Sequence, residues 1–383
     1  MNYLMQRRTN LLKFLKEDGV DAYLITNPIS VYYLTGFTGD SSYLIHSAKH
    51  TILVSDSRFE DQIQDECPGL DVHIRPHNKT VAEAATEVLA KMNTKTVGVE
   101  SAHLTLAEFD ALKSKATKQT LVPTPPRVES LRAIKDPSEL EKITDAVQIA
   151  EKAFKMFVTM IQQNETEKAM TDRLESYIRS CGGRASSFTP IVAVGERGAL
   201  PHAPPTAKTL IEGSKLLVDW GADVLYKSDI TRTLINPQGA NPSRRNKHER
   251  AGYKFDEIYR VVQKAHEAAV AVIRHGVAAK EVDAAARKVI SDAGYGKFFT
   301  HGLGHGIGLE IHEAPRVRAN SEDILQAGMV ITIEPGIYIS GQNDPKGKDL
   351  GGWGGVRLED DYLVTKEGSR RLTTLPHDPK AIE

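Results

Sequence analysis

Apolar and polar positions alternate in short runs over the first third of the chain, then settle into long helical stripes. Residues 11–18 repeat apolar positions at helical spacing, and Gly19 ends the run. Runs at 22–26, 42–45, 51–55 and 96–99 predict strands, and 81–92 predicts a helix. This alternation marks an α/β domain, placed at residues 1–127. Pro123, Pro125 and Pro126 stiffen residues 122–127, which read as a non-helical linker. Beyond it a long helix is expected over 139–163, capped by Asp136 or Ser138, and a second over 167–180 before Gly182 and Gly183. Strands at 189–194, 215–220 and 228–235 follow, then helices at 247–275 and 280–293. The last third returns to strands at 329–333, 336–339 and 356–364. Helices followed by strands predict an α+β domain over residues 128–383 with a curved antiparallel sheet.

Composition narrows the function classes. Hydrophobic residues at 40% and charged residues at 26% suit a soluble globular protein. With 49 basic and 50 acidic residues there is no net field to attract nucleic acid. The basic stretch Arg244, Arg245, Lys247 and Arg250 is interrupted by Glu249 and reads as a solvated helix start. No apolar run reaches the ~18 residues of a membrane span. Residues 1–16 interleave Arg7, Arg8 and Lys13 with Leu11, Leu12, Phe14 and Leu15, an amphipathic helix rather than a secretory signal. Cys67 and Cys181 are the only cysteines, so a disulfide framework is not expected and the cytoplasm is the expected compartment.

Five side chains change this picture: Asp219, Asp229, His305, Glu334 and Glu359. Asp219 ends the apolar run Leu216-Leu217-Val218, and Asp229 opens the return through Ile230. A hairpin would set the two carboxylates side by side, where burial without a cation is unfavourable. Two surface aspartates flanking a turn is the competing reading of this pair alone. Residues 301–313 hold His301, His305 and His312, with Gly302, Gly304, Gly306 and Gly308 interleaved. Such a segment is a poor helix and too polar for a core. Its glycines let the backbone pass close to something and leave the imidazoles as ligands or proton carriers. A glycine-rich nucleotide loop is a weaker reading, because the spacing does not match that fingerprint. Glu334 sits in an otherwise apolar β-run, where a buried carboxylate needs a partner; an outward-facing Glu is the alternative. Arg357 and Glu359 share a strand face by period two. Together, four carboxylates and one imidazole can hold two divalent metals. The oxygen-rich set suits Mn, Co, Zn or Fe(II) rather than a thiolate structural zinc site.

At these residues the chain closely resembles the pita-bread metallopeptidases: aminopeptidase P, prolidase and methionine aminopeptidase. The resemblance covers 218–221, 228–233, 301–313, 332–336 and 356–360, with 187–193 leading to 201–203. Residues 130–139 resemble the family's entry to its catalytic domain. Residues 27–39 and 53–59 resemble the creatinase/prolidase N-terminal domain, which methionine aminopeptidases usually lack. Creatinase shares the fold but not the metal ligands.

The resemblance implies that Asp219 and Asp229 contact one metal as a pair, with Asp229 also reaching the second. His305 and Glu334 would complete the second ion's ligands, and Glu359 would bridge. It implies cleavage of the bond before proline, with Glu334 carrying a proton from the attacking water to the leaving nitrogen. His202, His301, His312 and Arg357 resemble the residues that hold the proline side and stabilise the tetrahedral anion, His202 and His312 being counted with Glu334 as catalytic. Thr231, Arg232 and Thr332 are implied to orient carboxylates. One departure stands out: Asp219 and Asp229 lie one position closer together than is usual in the family, and the missing residue falls between Asp223 and Tyr226. A shortened turn would keep both carboxylates on one face, whereas a register slip would turn one away. The intact flanking strands favour the turn.

The expected function is metal-dependent hydrolysis at Xaa-Pro, with two divalent ions (Mn, or else Co or Zn) and short proline-containing peptides as substrates. An aminopeptidase removing the first residue is favoured over an Xaa-Pro dipeptidase. A non-catalytic peptide-binding protein and a metal-free amidinohydrolase of the creatinase type are the further alternatives. A homodimer or higher homo-oligomer is expected, with neither nucleic acid nor membrane as partner.

Overall fold

The computed structural model describes residues 3–240, 254–344 and 354–380. The chain divides into two compact units, Met1–Arg132 and Ala133–Glu383. In the first, short apolar runs become the strands β1 (Ala22–Ile25), β2 (Tyr43–Ser47), β3 (Thr51–Ser55), β4 (Asp71–Ile74), β5 (Thr96–Glu100) and β6 (Thr120–Thr124). They form one sheet in the order β4-β3-β2-β1-β5-β6. The β1–β2 and β2–β3 pairs are antiparallel and the rest parallel. The helix Val81–Lys91, started by reciprocal bonds between Thr80 and Glu83, shares a core with the sheet through Ala84, Ala85, Val88 and Leu89. This is the expected α/β architecture.

Three local expectations change. The helix read over 11–18 is two pieces, Tyr3–Leu12 and Leu15–Asp18, although Gly19 does end it at φ +66°. Pro28–Thr35 is an additional helix, capped by the Asn27 side chain. It is buried over so much of its surface that it carries no amphipathic stripe to read. The triple-proline stretch is not a linker: β6 runs through Pro123 at the edge of the sheet, and Arg127–Arg132 is helical. An edge strand tolerates proline because the missing N–H faces no partner.

In the second unit Asp136 caps the helix Pro137–Met160, accepting from the N–H groups of Ser138 and Glu139. Glu167–Ser180 follows, and later Phe255–Val272 and Ala279–Asp292. The helix start expected at 247, with the basic stretch 244–250, lies outside the described residues. The strands are β7 (Ala185–Ser186), β8 (Ile191–Val194), β9 (Lys215–Trp220), β10 (Ala222–Val224), β11 (Tyr226–Lys227), β12 (Ile230–Ile235), β13 (Gly304–Gly306), β14 (Glu313–Val317), β15 (Val330–Ile333), β16 (Gly336–Ile339), β17 (Gly354–Arg357), β18 (Asp360–Val364) and β19 (Ser369–Arg371). They associate as β11-β10-β7, β12-β9-β8, β14-β13-β15-β18-β19 and β16-β17. Every described pairing here is antiparallel. The helices bury their apolar faces against these strands: Trp220 of β9 stacks on Phe154 at 4.1 Å between ring centroids, and its indole N–H donates to Ala150 O. The result is the pita-bread fold.

Two details place the site. The β9–β12 hairpin keeps one register from Lys215↔Ile235 through Trp220↔Ile230, and the pairing resumes unchanged at Asp223↔Lys227 and Val224↔Tyr226. Leu225 alone makes the turn, at φ +85°, its N–H donating to Asp223 Oδ1 at 2.7 Å. A left-handed leucine carries a strain of ~1–3 kcal/mol, which the packed flanking strands must offset. The shortened spacing is thus absorbed at the apex, not by a register slip. The second detail corrects the strand read over 356–364. It breaks into β17 and β18 at Leu358–Glu359, and the Glu359 N–H crosses to Thr231 O at 3.2 Å.

Candidate metal centre

One cavity of about 640 Å³ receives all nine side chains selected from the sequence: His202, Asp219, Asp229, His301, His305, His312, Glu334, Arg357 and Glu359. Asp219 lies on β9 opposite Thr231, and Asp229 immediately precedes β12. Because strand side chains alternate, these two carboxylates are diagonal neighbours on one face. His305 is the central residue of β13. A Cβ on Gly304 would sit 2.1 Å from Thr332 O, and one on Gly306 would sit 2.1 Å from Ala314 O. The glycines therefore let β13 pass between β14 and β15, and what the backbone approaches is neighbouring backbone. Glu334 follows β15, and its N–H is fixed by Leu303 O at 2.9 Å.

The electrostatics of the cavity call for positive charge. His305 Nδ1 lies 3.1 Å from Gly306 O, so that nitrogen carries the proton and donates. Its Nε2 then presents a lone pair toward Glu334 Oε1 at 3.5 Å and Asp229 Oδ2 at 3.7 Å. Burial, followed by the nearby His312, pushes His305 down to about 3, so protonation does not relieve this contact. Burial and then the charge of Glu359 hold Asp229 and Glu334 well above the usual carboxylate range. Burial and then Asp219 push Glu359 up to about 8. Asp219 Oδ1 and Asp229 Oδ1 are buried with no hydrogen-bond partner. Ligand atoms of Asp229, His305 and Glu359 all lie within 4.8 Å of one another. An oxygen-rich donor set with one imidazole lone pair and two orphaned carboxylate oxygens fits divalent cations.

Surrounding residues hold these donors in place. Thr231 Oγ1 donates to Glu359 Oε2 at 2.6 Å and accepts from Arg357 Nε at 3.0 Å. Arg232 grips the backbone carbonyls of Thr231 and Glu359 and pairs with Asp360. Thr332 receives the N–H of His305. Tyr338, which the sequence reading did not single out, links two site residues: its hydroxyl accepts from Arg357 Nη1 and lies 2.9 Å from His301 Nε2. Asp361, also missed, is buried behind the centre, and its Oδ2 accepts the N–H of Asp229. Its signal was its place two residues after Glu359, but strand parity alone did not show that it reaches β12. A separate cluster, His266, Asp360 and His377, has ligand atoms equally close together. There Arg232 and Arg371 already neutralise Asp360, which disfavours a further dication.

His202 and His312 are exposed at the cavity, the His312 ring 4.4 Å from that of His305. Arg316 and Arg318 line the same cavity.

Fold and site together define a metallo-exopeptidase of the pita-bread class. Residues 141–366 match the metallopeptidase family M24, and residues 7–134 match the creatinase/prolidase N-terminal domain. The chain belongs to family M24, which implies divalent metal ions. It is 34% identical to the Xaa-Pro dipeptidase of Pyrococcus furiosus over 97% of this chain and 98% of that one. It superposes on the Xaa-Pro dipeptidase from Bacillus anthracis with a TM-score of 0.87 and 33% identity, covering 98% of this chain and 99% of that one. The X-Pro aminopeptidase from Thermotoga maritima gives a TM-score of 0.83 and 31% identity, covering 96% and 99%. No helix among the described residues is long and apolar enough to cross a membrane.

Proposed function

We propose that this chain is an Xaa-Pro dipeptidase using two divalent metal ions, manganese being the expected pair. The observation that carries the reading is the convergence of Asp219, Asp229, His305, Glu334 and Glu359 on one cavity. Full-length similarity to proteins named Xaa-Pro dipeptidase moves the reading away from the aminopeptidase favoured by sequence alone. Arg316 and Arg318 support the same choice, because a guanidinium in the cavity wall complements the free carboxylate that a dipeptide presents just beyond proline.

In this reading Asp219, Asp229, His305, Glu334 and Glu359 hold the ions, which supply Lewis acidity and lower the pKa of water. Glu334 accepts a proton from the attacking water and returns it to the proline nitrogen, which has no N–H of its own in the peptide. His202 and His312 hold the substrate and its developing anion. His301 and Arg357 serve by position. Both His301 nitrogens meet protein groups, Gly302 O and the Tyr338 hydroxyl, and Arg357 donates to Thr231, Tyr338 and Asp219.

The test is parallel assay of the purified protein with Mn, Co or Zn on Ala-Pro and on an Xaa-Pro-Yaa tripeptide. Ala-Pro should be cleaved and the tripeptide spared; comparable release of the first residue from both restores the aminopeptidase reading. Arg316→Ala should raise KM for Ala-Pro by ~10-fold or more, the loss of one charge-assisted contact, with kcat little changed. His305→Ala should lower bound metal by elemental analysis, and unchanged stoichiometry would remove His305 from the ligand set.

A further inference from the structure

His202 reaches the cavity from an irregular segment, and one remote carboxylate closes that segment at both ends. Glu167 is the first residue of the helix Glu167–Ser180 and is fully buried. Its Oε1 accepts from Val194 N at 2.8 Å, where β8 ends and the segment begins. Its Oε2 accepts from Thr206 N at 3.0 Å and Thr206 Oγ1 at 2.6 Å, where the segment returns. Between the two, Arg197 Nε bonds both oxygens at 3.0 and 2.8 Å, and Arg197 Nη2 donates onward to Pro204 O. Pro201, next to His202, accepts from Arg357 Nη1 through its carbonyl at 3.3 Å. The loop is thus tied at its base to Glu167 and at its tip to the guanidinium that holds Asp219.

We propose that Glu167 is a positioning residue for substrate binding, acting through the loop that carries His202. This rests on the reading that His202 holds the substrate. A carboxylate suits the place for two reasons. All its partners are donors, and it sits at a helix N-terminus, where the backbone dipole favours negative charge. An amide does not suit it: a glutamine must turn an NH2 toward Val194 N on one side or toward Thr206 N on the other, and Arg197 Nε faces it on either side. Either way a donor faces a donor, and the buried end of the loop must shift.

The experiment compares Glu167→Gln, Thr206→Val, His202→Ala and the double variant Glu167→Gln/His202→Ala on Ala-Pro with the metal-loaded protein. Glu167→Gln should lower kcat/KM by ~100-fold, the scale of a sub-ångström to ångström displacement of a substrate contact. Thr206→Val removes the hydroxyl's bond to Glu167 and the one it accepts from Lys208 N, and should act in the same direction by ~10-fold, keeping the test open if the buried substitution does not fold. Bound metal should stay at the wild-type level in both, because the loop supplies none of the proposed ligands. In the His202→Ala background, Glu167→Gln should add no more than ~3-fold, since both changes remove one function. Defects that multiply in full, or a metal content that falls with activity, overturn the inference alone. A wild type that leaves Ala-Pro intact, or a His202→Ala variant as active as wild type, overturns the functional reading and this inference with it.

Discussion

Glu334→Gln should lower kcat on Ala-Pro by about 10²–10⁴-fold, the range contributed by a positioned proton carrier, while the fold stays intact. The substitution is close to isosteric, and the N–H of residue 334 keeps its bond to Leu303 O, so the segment after β15 keeps its path. What disappears is ionisation. Glu334 faces His305 Nε2 at 3.5 Å and His301 Nδ1 at 3.9 Å, and burial, then the charge of Glu359, holds its carboxyl above the usual carboxylate range. The amide keeps an oxygen donor but cannot accept a proton from water and hand it to the proline nitrogen. Circular dichroism should match the wild type, and metal content should fall by less than in His305→Ala. A variant within a few-fold of wild-type turnover would take the proton-carrying role away from Glu334.

How much of this was legible beforehand differs between site and fold. The candidate site residues stood out where they are chemically out of place locally. Asp219 ends an apolar run, Glu334 interrupts a strand, and three histidines sit among glycines. All nine do meet in one cavity. The hairpin was legible too, but Leu225 as its sole turn residue was not, since a leucine at positive φ violates local preference. The break at Leu358–Glu359 was hidden because Val356 and Leu358 before it and Tyr362, Leu363 and Val364 after it bracket the charged run Glu359-Asp360-Asp361, so the whole stretch read as one strand. The backbone switches partners there, β17 pairing with β16 and β18 with β15, and partner choice leaves no mark on periodicity. Tyr338 fell within the strand read over 336–339, and only the tertiary fold puts its hydroxyl between Arg357 and His301. Glu167 read as a helix-start residue, which it is; that the same carboxylate closes a distant loop depends on contacts 27 and 39 residues away.

Asp229→Asn should uncouple thermal stability from divalent metal and make the metal-free protein more stable than the metal-free wild type. Asp229 is buried among Glu359, Asp219, Asp361 and Glu334, and after desolvation their charge is what holds its pKa up. Removing one charge lowers that repulsion in the folded state and leaves the unfolded chain nearly unchanged. In the wild type, saturating metal supplies the missing cation. At a thousandfold excess over Kd one ion contributes about 4 kcal/mol, and at ~2 °C per kcal/mol for a unit of this size the midpoint should rise by roughly 8 °C. The variant lacks one of the carboxylates proposed to hold the ions, so its rise should be small. The pH dependence of the metal-free protein gives a second readout. Acids whose folded pKa is raised bind more protons folded than unfolded, so their contribution is complete below the unfolded carboxylate range. It is lost as pH rises through the folded values, Glu359 reaching about 8. From roughly pH 4 to 8 the metal-free wild type should therefore lose stability with rising pH more steeply than Asp229→Asn. Differential scanning calorimetry with chelator and with added Mn measures both effects, and an equal metal-induced rise in the two proteins would show that Asp229 does not hold the ions.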